Sequence, residues 1–573
     1  MLNKNRIERF VPPVAAELLE SNNFFELYPF DGGGSFIQQE IVGSVDDRRI
    51  AKAISADGAL NDFGPLEKID FLKYERWSTI EKSCWINRMY FLVPLARTAK
   101  LTGDRALAEK VRRILLDFYA SYPPPATCDD AVRLHADVLY ARDHDYNAKG
   151  FDFDAPIPYQ WFDFQPGSRI VNILHAAWLL RSMDIFSPAD LEILDRLLFL
   201  HGRNIFWTES HVELKPGNHQ ALRSMALLLA SAYFKDLPES RDWQALAVKM
   251  CEYHILHDFL PDGMLIDLSP SYHFFESWII RDMLLIAERE NIVFSPEVRS
   301  RAEKAFRVCR ALCQPDGYCP VINDAYALNM SAFLAALPPE ERRPEKFLHL
   351  PDAGMAIYHE KDDFMLFDCS PLVSPMAHYH AGKQAVTLFV HGIPFLTDSG
   401  CCSYDDPDFS GYYKQAFAHS SLLVDGHGDG TLQGRYLWLN AAECSLSDWE
   451  NGTISSRSTS VAEGWSGIGW ERKVSILEDE GTMILDDRVS SGRMIGMTFI
   501  FNLHPAVTVR KEGSTAVLEH RGQVIQIFFP GEFEVRDSLS YQDFTKIPGR
   551  QLIFRTTGEG GVFRTRIQWD RED

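Results

Sequence analysis

No run of about 18 consecutive apolar residues occurs in this chain, so a membrane-spanning helix is excluded and a soluble protein is expected. Cysteine is sparse, with ten positions in 573 residues and neither CxxC pairs nor zinc-finger spacing. Cys401 and Cys402 are adjacent, and Cys313 and Cys319 flank a turn. That pattern excludes a disulfide framework and leaves reduced, buried thiols as the expectation. Positive charge is also short: 58 Lys and Arg face 80 Asp and Glu, a net charge of −22, and both halves of the chain are acidic. A general nucleic-acid surface is therefore excluded, and any polyanionic ligand needs a local basic pocket. The opening residues, MLNKNRIERFVPPVAAELLE, lack the apolar core of a secretory signal. No strict internal period appears, which excludes a consensus repeat array.

What is present fits a large globular protein. Apolar residues make up 46% and charged residues 24%, and the length calls for two or more domains. Aromatics are abundant at 12%, with 12 Trp and 20 Tyr, which suits either sugar stacking or a large aromatic core. From about Trp77 to Leu334 apolar residues recur at three- and four-residue steps, as in VNILHAAWLLRSMDIF and WQALAVKMCEYHILHDFL. Successive amphipathic helices of this kind form a bundle, a solenoid or a closed ring of hairpins. The character changes near Pro351. Short β-branched or alternating runs follow, among them QAVTLFVHGIPFLTDSG, RKVSILED, GTMILDDRVS, MTFIFNLH and RQLIFRTTG, separated by Gly, Asp and Asn turns. These predict an antiparallel sandwich. LPPEERRPEKFLHLPDAG reads as the connector, with a helical domain over 1–348 and a β domain over 349–573.

Four polar clusters stand out. KPGNHQALRS places Asn218 and His219 at a helix start, with Gly217 as the turn and Asn218 as the cap. MLIDLSPSYHFFESW sets Tyr272 and His273 in a Ser/Pro-rich turn before a helix. In SPMAHYHAGKQAVTLFVHGIPFLTDSGCCSY, His378 and His380 share one face of an extended chain, and Asp398 follows after strand, turn and strand. AFAHSSLLVDGHG adds His419. Neighbouring strands can bring His380, Asp398 and His419 together as a two-His, one-carboxylate metal set, with turn residues and solvated histidines the plainer alternative.

Taken together, GNHQ, SPSYH, HYHAGKQ…TDSG…Y and AHSSLLVDG resemble, in type and order, the motifs of the heparinase II/III-type polysaccharide lyases. The resemblance covers both halves of the chain. It implies an N-terminal (α/α) incomplete toroid followed by a C-terminal antiparallel β-sandwich. One motif departs from the family pattern of H-x-H-A-D followed by D-P-G. Here the residues are His378-Tyr379-His380-Ala381-Gly382 and Asp398-Ser399-Gly400, which leaves the subfamily and the substrate open.

The activity so implied is β-elimination on uronate-containing polysaccharides, most readily glycosaminoglycans such as hyaluronan, chondroitin sulfate and heparan sulfate. A proton leaves C5, the C4 glycosidic oxygen departs, and a 4,5-unsaturated uronate remains. Charge builds on the uronate carboxylate as C5 is deprotonated, so donors must neutralise it; Asn218 and His219 are the candidates. A tyrosine with an ordinary pKa of about 10 needs a helping environment to act as a base. The resemblance gives Tyr272 the acid/base role and His378 the base role from the opposite sugar face. It makes the metal at His380, Asp398 and His419 structural, with zinc first and manganese or another divalent ion also fitting. Arg88 and Trp85, in CWINRMYF, are candidates for a substrate carboxylate or sulfate and for sugar stacking, or for plain helix packing. Tyr404 either lines the site or packs in the sheet.

The resemblance implies a bacterial periplasmic or secreted setting, while the missing leader leaves the cytoplasm open; the oligomeric state stays open. Alginate and other uronate polymers are alternative substrates. Two other function classes compete: a glycoside hydrolase using carboxylates such as Asp267, Glu276 and Asp324, and a non-catalytic glycan-binding protein.

Overall fold

The structure, a computed structural model, describes residues 6–13, 69–72, 86–145, 159–335, 337, 344–372, 378–402, 404, 406–440, 442–542 and 545–570. Contacts divide the chain into two compact units: Met1–Phe259 with Phe275–Ala302, and Leu260–Phe274 with Glu303–Asp573. A helical N-terminal region is followed by an antiparallel β region, as the change of pattern near Pro351 predicts. Among the described residues no helix is long and apolar enough to cross a membrane.

Among the described residues the longer helices are α1 Leu92–Thr102, α2 Arg105–Ser121, α3 Cys128–Asp145, α4 Phe164–Leu180, α5 Pro188–Glu209, α6 Asn218–Tyr233, α7 Ser240–His257, α8 Pro270–Arg289 and α9 Pro296–Leu312. Their starts are written in the sequence. Asp104 accepts the Leu107 N–H ahead of α2, and Ser187 with Asp190 forms a reciprocal capping box ahead of α5. Gly103, at φ 70°, closes α1. Helix α4 is buried along its whole length, including Arg169, Asn172 and His175, and packs on α1, α5 and α6. A helix enclosed on every side is the centre of its unit.

Helix α6 starts differently from the expectation. Gly217, at φ 145°, is the N-cap residue, no side chain caps the helix, and Asn218 is its first helical residue. The Gly217 N–H instead donates to the Asp258 carboxylate at 3.1 Å. Tyr272 and His273 also fall inside a helix, in the first turn of α8, rather than in a turn before it.

The β unit carries β1 Phe347–Leu350, β2 Met355–Glu360, β3 Asp363–Asp368, β4 Ala385–Val390, β5 Ile393–Leu396, β6 Leu422–Val424, β7 Thr431–Gln433, β8 Leu437–Leu439, β9 Glu443–Leu446, β10 Thr453–Thr459, β11 Gly469–Leu477, β12 Thr482–Leu503, β13 Thr508–Glu512, β14 Thr515–His520, β15 Gln523–Phe528, β16 Phe533–Gln542 and β17 Thr545–Trp569. Among the described residues fifteen strands form one hydrogen-bonded antiparallel network, whose main path runs β1-β2-β3-β4-β5-β12-β17-β15-β14-β13, and β7 and β8 form a separate hairpin. GTMILDDRVS and MTFIFNLH, two runs in the sequence, are one strand, β12, whose register against β17 shifts between Ser490 and Ile495. The connector also holds a strand, β1, paired with β2.

Alternation along β2 explains the layering. Ala356 and Tyr358 face a core built with Trp465, Trp470, Met483, Phe499 and Ile527. Met355 and Ile357 face the opposite side, where Met264, Leu268, Val308, Ala311 and Leu312 complete a second core. Segment 260–274 and the end of α9 are thus part of the β unit by packing. Along the sequence the boundary reads at 348/349; in space, apolar side chains from 260–274 and 303–348 cover the outer face of β1–β4.

Candidate active site

In the β unit, a chain of polar contacts runs through five residues. The Tyr272 and Tyr404 hydroxyls lie 2.7 Å apart, and the Tyr404 hydroxyl is 3.2 Å from His378 Nδ1. His378 Nδ1 also contacts Asp324 Oδ2 at 3.0 Å, and His380 Nε2 donates to Asp324 Oδ1 at 2.6 Å. The Tyr272 and His378 rings are tilted against each other with centroids 4.1 Å apart. Three residues singled out by sequence, Tyr272, His378 and Tyr404, are therefore brought together.

Electrostatics sets the protons in this chain. Burial opposes charge on Asp324, but Lys414 at 3.8 Å and the bonds from His378 and His380 hold its carboxyl well below the usual range. An ionised Asp324 accepts a hydrogen bond from the Nδ1–H of His378. That nitrogen then has no lone pair for Tyr404, so the Tyr404 proton is directed to the Tyr272 oxygen. Burial keeps the Tyr404 phenol far above its ordinary value, so it remains a donor. A donated hydrogen bond favours negative charge on the Tyr272 oxygen, the environment a base needs. Burial would lower His378, yet Asp267, 4.0 Å from its Nε2, and Asp324 together raise it, making the imidazole a stronger base once neutral.

The backbone here is held in place. Asp267 is followed by Leu268 at φ 52°, a left-handed position that costs about 1–3 kcal/mol for a non-glycine residue. The carbonyls on either side are tied down, Ile266 by the Tyr379 hydroxyl and Leu268 by the Asn323 amide at 2.7 Å. Gly382, which stands where the family motif resembles Asp, has φ 85°, and a Cβ there would meet His419 Cβ at 2.9 Å. A carboxylate still reaches this turn: Asp429 accepts from the Gly382 and Lys383 N–H groups at 2.8 and 3.0 Å.

The residues expected to share a metal are arranged as two pairs instead. His419 Nδ1 donates to Asp398 at 2.8 Å while its Nε2 faces the Tyr413 carbonyl at 2.7 Å, so both nitrogens are engaged. His380 turns to Asp324, although its ring lies 5.3 Å from that of His419. Among the described residues the group whose ligand atoms converge is Asp324, His380 and Cys401, all buried and within 4.8 Å of one another. This set fits a divalent ion of zinc type: it combines imidazole, carboxylate and thiol. Burial pushes His380 down to about 4 and so keeps it neutral, and its buried Nδ1 has no hydrogen-bond partner.

In the helical unit, Asn218 and His219 open α6. Asn218 is buried, whereas the His219 side chain is 36% exposed. His219 Nδ1 donates to Asp163 Oδ2 at 2.6 Å, and the other oxygen of Asp163 accepts from Arg223 at 2.6 Å. Arg223 also pairs with Glu209, which accepts from Gln220 at 2.6 Å. Asp163 itself sits at φ 61°, ψ −126°, unusual for a residue with a Cβ. The His219 ring packs edge-on to Phe164, whose face carries the buried Arg88 guanidinium at 4.2 Å. Trp85 lies outside the described residues. Sequence reasoning did not find Asp163, Arg223, Glu209 or Lys414, and it weighed Asp267 and Asp324 only as hydrolase carboxylates. Asp324 and Glu276 are fully buried.

A helical region, an antiparallel β region and a Tyr–Tyr–His–Asp centre together define a class that the comparisons make specific. The chain belongs to the heparinase II/III family: the model of the heparinase II/III N-terminus matches residues 41–339 and that of the heparinase II/III-like C-terminal region matches 342–570. The chain is 20% identical over 393 residues to a heparin-sulfate lyase of Pedobacter heparinus, a match spanning 62% of this chain and 58% of that relative's length. A crystal structure of a heparan sulfate lyase mutant from Pedobacter heparinus superposes with a TM-score of 0.64 at 14% identity, covering 100% of this chain and 88% of the other. A heparinase III structure does so with a TM-score of 0.69 at 13% identity, over 98% and 88%.

Proposed function

We propose that this protein is a polysaccharide lyase that cleaves an anionic, uronate-containing polymer by β-elimination, with glycosaminoglycans as the first substrate class. The observation that carries the reading is the 2.7 Å contact between the Tyr272 and Tyr404 hydroxyls, beside a histidine backed by two carboxylates. A base removes the C5 proton, its electron pair becomes the C4–C5 double bond, and the C4–O bond breaks with protonation of the leaving oxygen. Tyr272 serves as acid, and as base where the C5 proton lies on the leaving-group side. His378 serves as base for the C5 epimer. Each such proton transfer is worth about 10²–10⁴ in rate. Asn218 and His219 are assigned to the uronate carboxylate and Tyr404 to contacts around the sugar, whereas Arg88, buried against Phe164, fits the helix-packing alternative.

A divalent metal held by Asp324, His380 and Cys401 would supply fixed positive charge that ties together three chain segments; no chemical step is assigned to it. The family match and the lyase names of its relatives support the reading. The hydrolase reading has less support, because Asp324 is committed to His378, His380 and Lys414.

The test is ultraviolet absorbance during separate incubations with hyaluronan, chondroitin sulfate, heparan sulfate, heparin and alginate. Elimination leaves a conjugated, absorbing uronate; hydrolysis leaves new reducing ends alone. A rise with one polymer is expected, and Tyr272→Phe is expected to abolish it while polymer binding persists. Reducing ends without absorbance, or wild-type rates in Tyr272→Phe, overturn the assignment.

A further inference from the structure

We infer that Arg435, at the tip of the β7–β8 hairpin, is a specificity-determining residue that receives an oxyanion, carboxylate or sulfate, on the sugar next to the one that is cleaved. This deepens the lyase reading and rests on it for the identity of the polymer.

The hairpin is built onto the candidate site. Gln433 pairs with Leu437, so Gly434, Arg435 and Tyr436 form a three-residue tip, with Gly434 at φ 65°. At the root of the hairpin Trp438 is buried, and its indole N–H donates at 2.9 Å to the carbonyl of Tyr379, the residue between His378 and His380. At the tip the Tyr436 ring stands edge-on to that of Tyr404, with centroids 6.3 Å apart, and lies 5.8 Å from Phe409. Arg435 completes the attachment, its Nη1 donating to the Tyr404 carbonyl at 2.7 Å. The hairpin is thus fixed to the histidine segment at one end and to Tyr404 at the other.

What remains of the guanidinium decides its role. An arginine side chain carries five N–H groups and stays charged. One is given to the Tyr404 carbonyl, and among the described residues no carboxylate pairs with the others. The side chain is partly exposed. Two lysines that reach this region are committed: Lys414, fully buried, to the Tyr379 carbonyl and Asp324, and Lys383, 1% exposed, to Ser370 and Asp368. In a chain of net charge −22, a partly exposed arginine without a carboxylate is the local basic group that a polyanion needs. Its open edge, Nε with Nη2, is a planar fork that matches two oxygens of one carboxylate or sulfate. The bond from Nη1 to a backbone carbonyl orients that fork in advance, which lowers the ordering cost of binding.

The same bond says which sugar is read. Arg435 is tied to the carbonyl end of Tyr404, whereas Tyr272 meets the hydroxyl end, so a tyrosine's length separates the fork from the reacting oxygen. The oxyanion therefore belongs to a neighbouring sugar and not to the one losing its C5 proton.

The experiment first ranks binding of the full chain to labelled hyaluronan, chondroitin sulfate, heparan sulfate and alginate, and takes the tightest. That polymer is then compared in native, carboxyl-reduced and, where sulfated, desulfated form, with wild type, Arg435→Gln and Arg435→Lys. Arg435→Gln is expected to bind the native polymer about tenfold more weakly. On one neutralised form it should match wild type within about threefold, and that form names the oxyanion: the desulfated polymer for a sulfate, the carboxyl-reduced one for a carboxylate. Its slope of log affinity against log salt should also be shallower, because one charged contact is lost. Arg435→Lys keeps the charge but not the fork, and should weaken native binding by about threefold or more. An arginine that only supports the Tyr404 backbone would weaken every form alike with an unchanged salt slope, and either result overturns the inference. So do wild-type binding by Arg435→Gln or Arg435→Lys, and no binding of any polymer by the native chain. These readings need no turnover, so a flat ultraviolet signal would fail the lyase reading separately.

Discussion

Replacing Tyr404 with Phe removes one oxygen and nothing else from the candidate site. In the native arrangement that hydroxyl contacts the Tyr272 hydroxyl at 2.7 Å and His378 Nδ1 at 3.2 Å. His378 keeps its bond to Asp324 at 3.0 Å, so the imidazole stays oriented and the loss falls on Tyr272. A buried hydrogen bond whose partner is deleted costs about 1–3 kcal/mol. If that energy is felt mainly when Tyr272 carries charge, the rate falls by roughly 5- to 150-fold, at about 1.4 kcal/mol per factor of ten. Tyr272→Phe, by contrast, deletes the proton-transfer group and costs about 10²–10⁴. The assay is the initial ultraviolet rate for wild type, both single variants and the double variant at saturating polymer. Because Tyr404 acts through Tyr272, the double variant should be no slower than Tyr272→Phe. Three results refute the proton order: a Tyr404→Phe rate equal to wild type, a loss in Tyr404→Phe larger than in Tyr272→Phe, or additive losses in the double variant.

Three further outcomes follow from the same structure. Burial pushes the His273 imidazole down to about 4, so it stays neutral in the fold while the unfolded chain takes up a proton below about 6.5. Its contribution to stability is thus full above 6.5 and shrinks as pH falls toward 4. His273→Gln should flatten the dependence of urea stability on pH in that window by about 3 kcal/mol relative to wild type, and parallel curves would count against it. His378 and His419, which their carboxylates raise, give their full contribution below 6.5 and so do not slope in this window. Gly382→Ala should lower stability by about 2–4 kcal/mol, since it adds strain at φ 85° and a clash with His419; Gly103→Ala, at φ 70° with open space around it, should cost about 1 kcal/mol. A similar loss for the two, by chemical denaturation, would show that the close approach is not felt. After equilibration with zinc and dialysis, wild type should retain about one metal per chain by elemental analysis and Cys401→Ser much less; equal retention would remove Cys401 from the ligand set.

The fold was legible because its signals are local. The three- and four-residue apolar spacing and the turn-bounded β runs act within a few positions, and the helical and β regions lie where they placed them; the cap expected at Asn218 does not form. Where two runs became one strand, β12, the break between them is the register shift at Ser490–Ile495, which interrupts the apolar pattern without ending the ladder. The side chains of the candidate site were half legible. Tyr272, His378, Tyr404, Asn218 and His219 stand in short motifs.

Their partners do not. Asp324 reaches His378 and His380 from 54 and 56 residues away, and Asp163 reaches His219 from 56. Nothing along the chain marks either as different from an ordinary turn aspartate. What distinguishes them is burial opposite a cation, a property of packing: Lys414 beside Asp324, Arg223 beside Asp163. The same logic splits the expected metal set. His380 and His419 read alike in sequence, yet Asp398 and the Tyr413 carbonyl occupy both nitrogens of His419, while His380 turns to Asp324. A carboxylate that must stay ionised where water is excluded needs a buried cation or a donor pair. In this chain both candidate histidines, His378 and His219, contact such a carboxylate, each supplied by a turn remote in sequence.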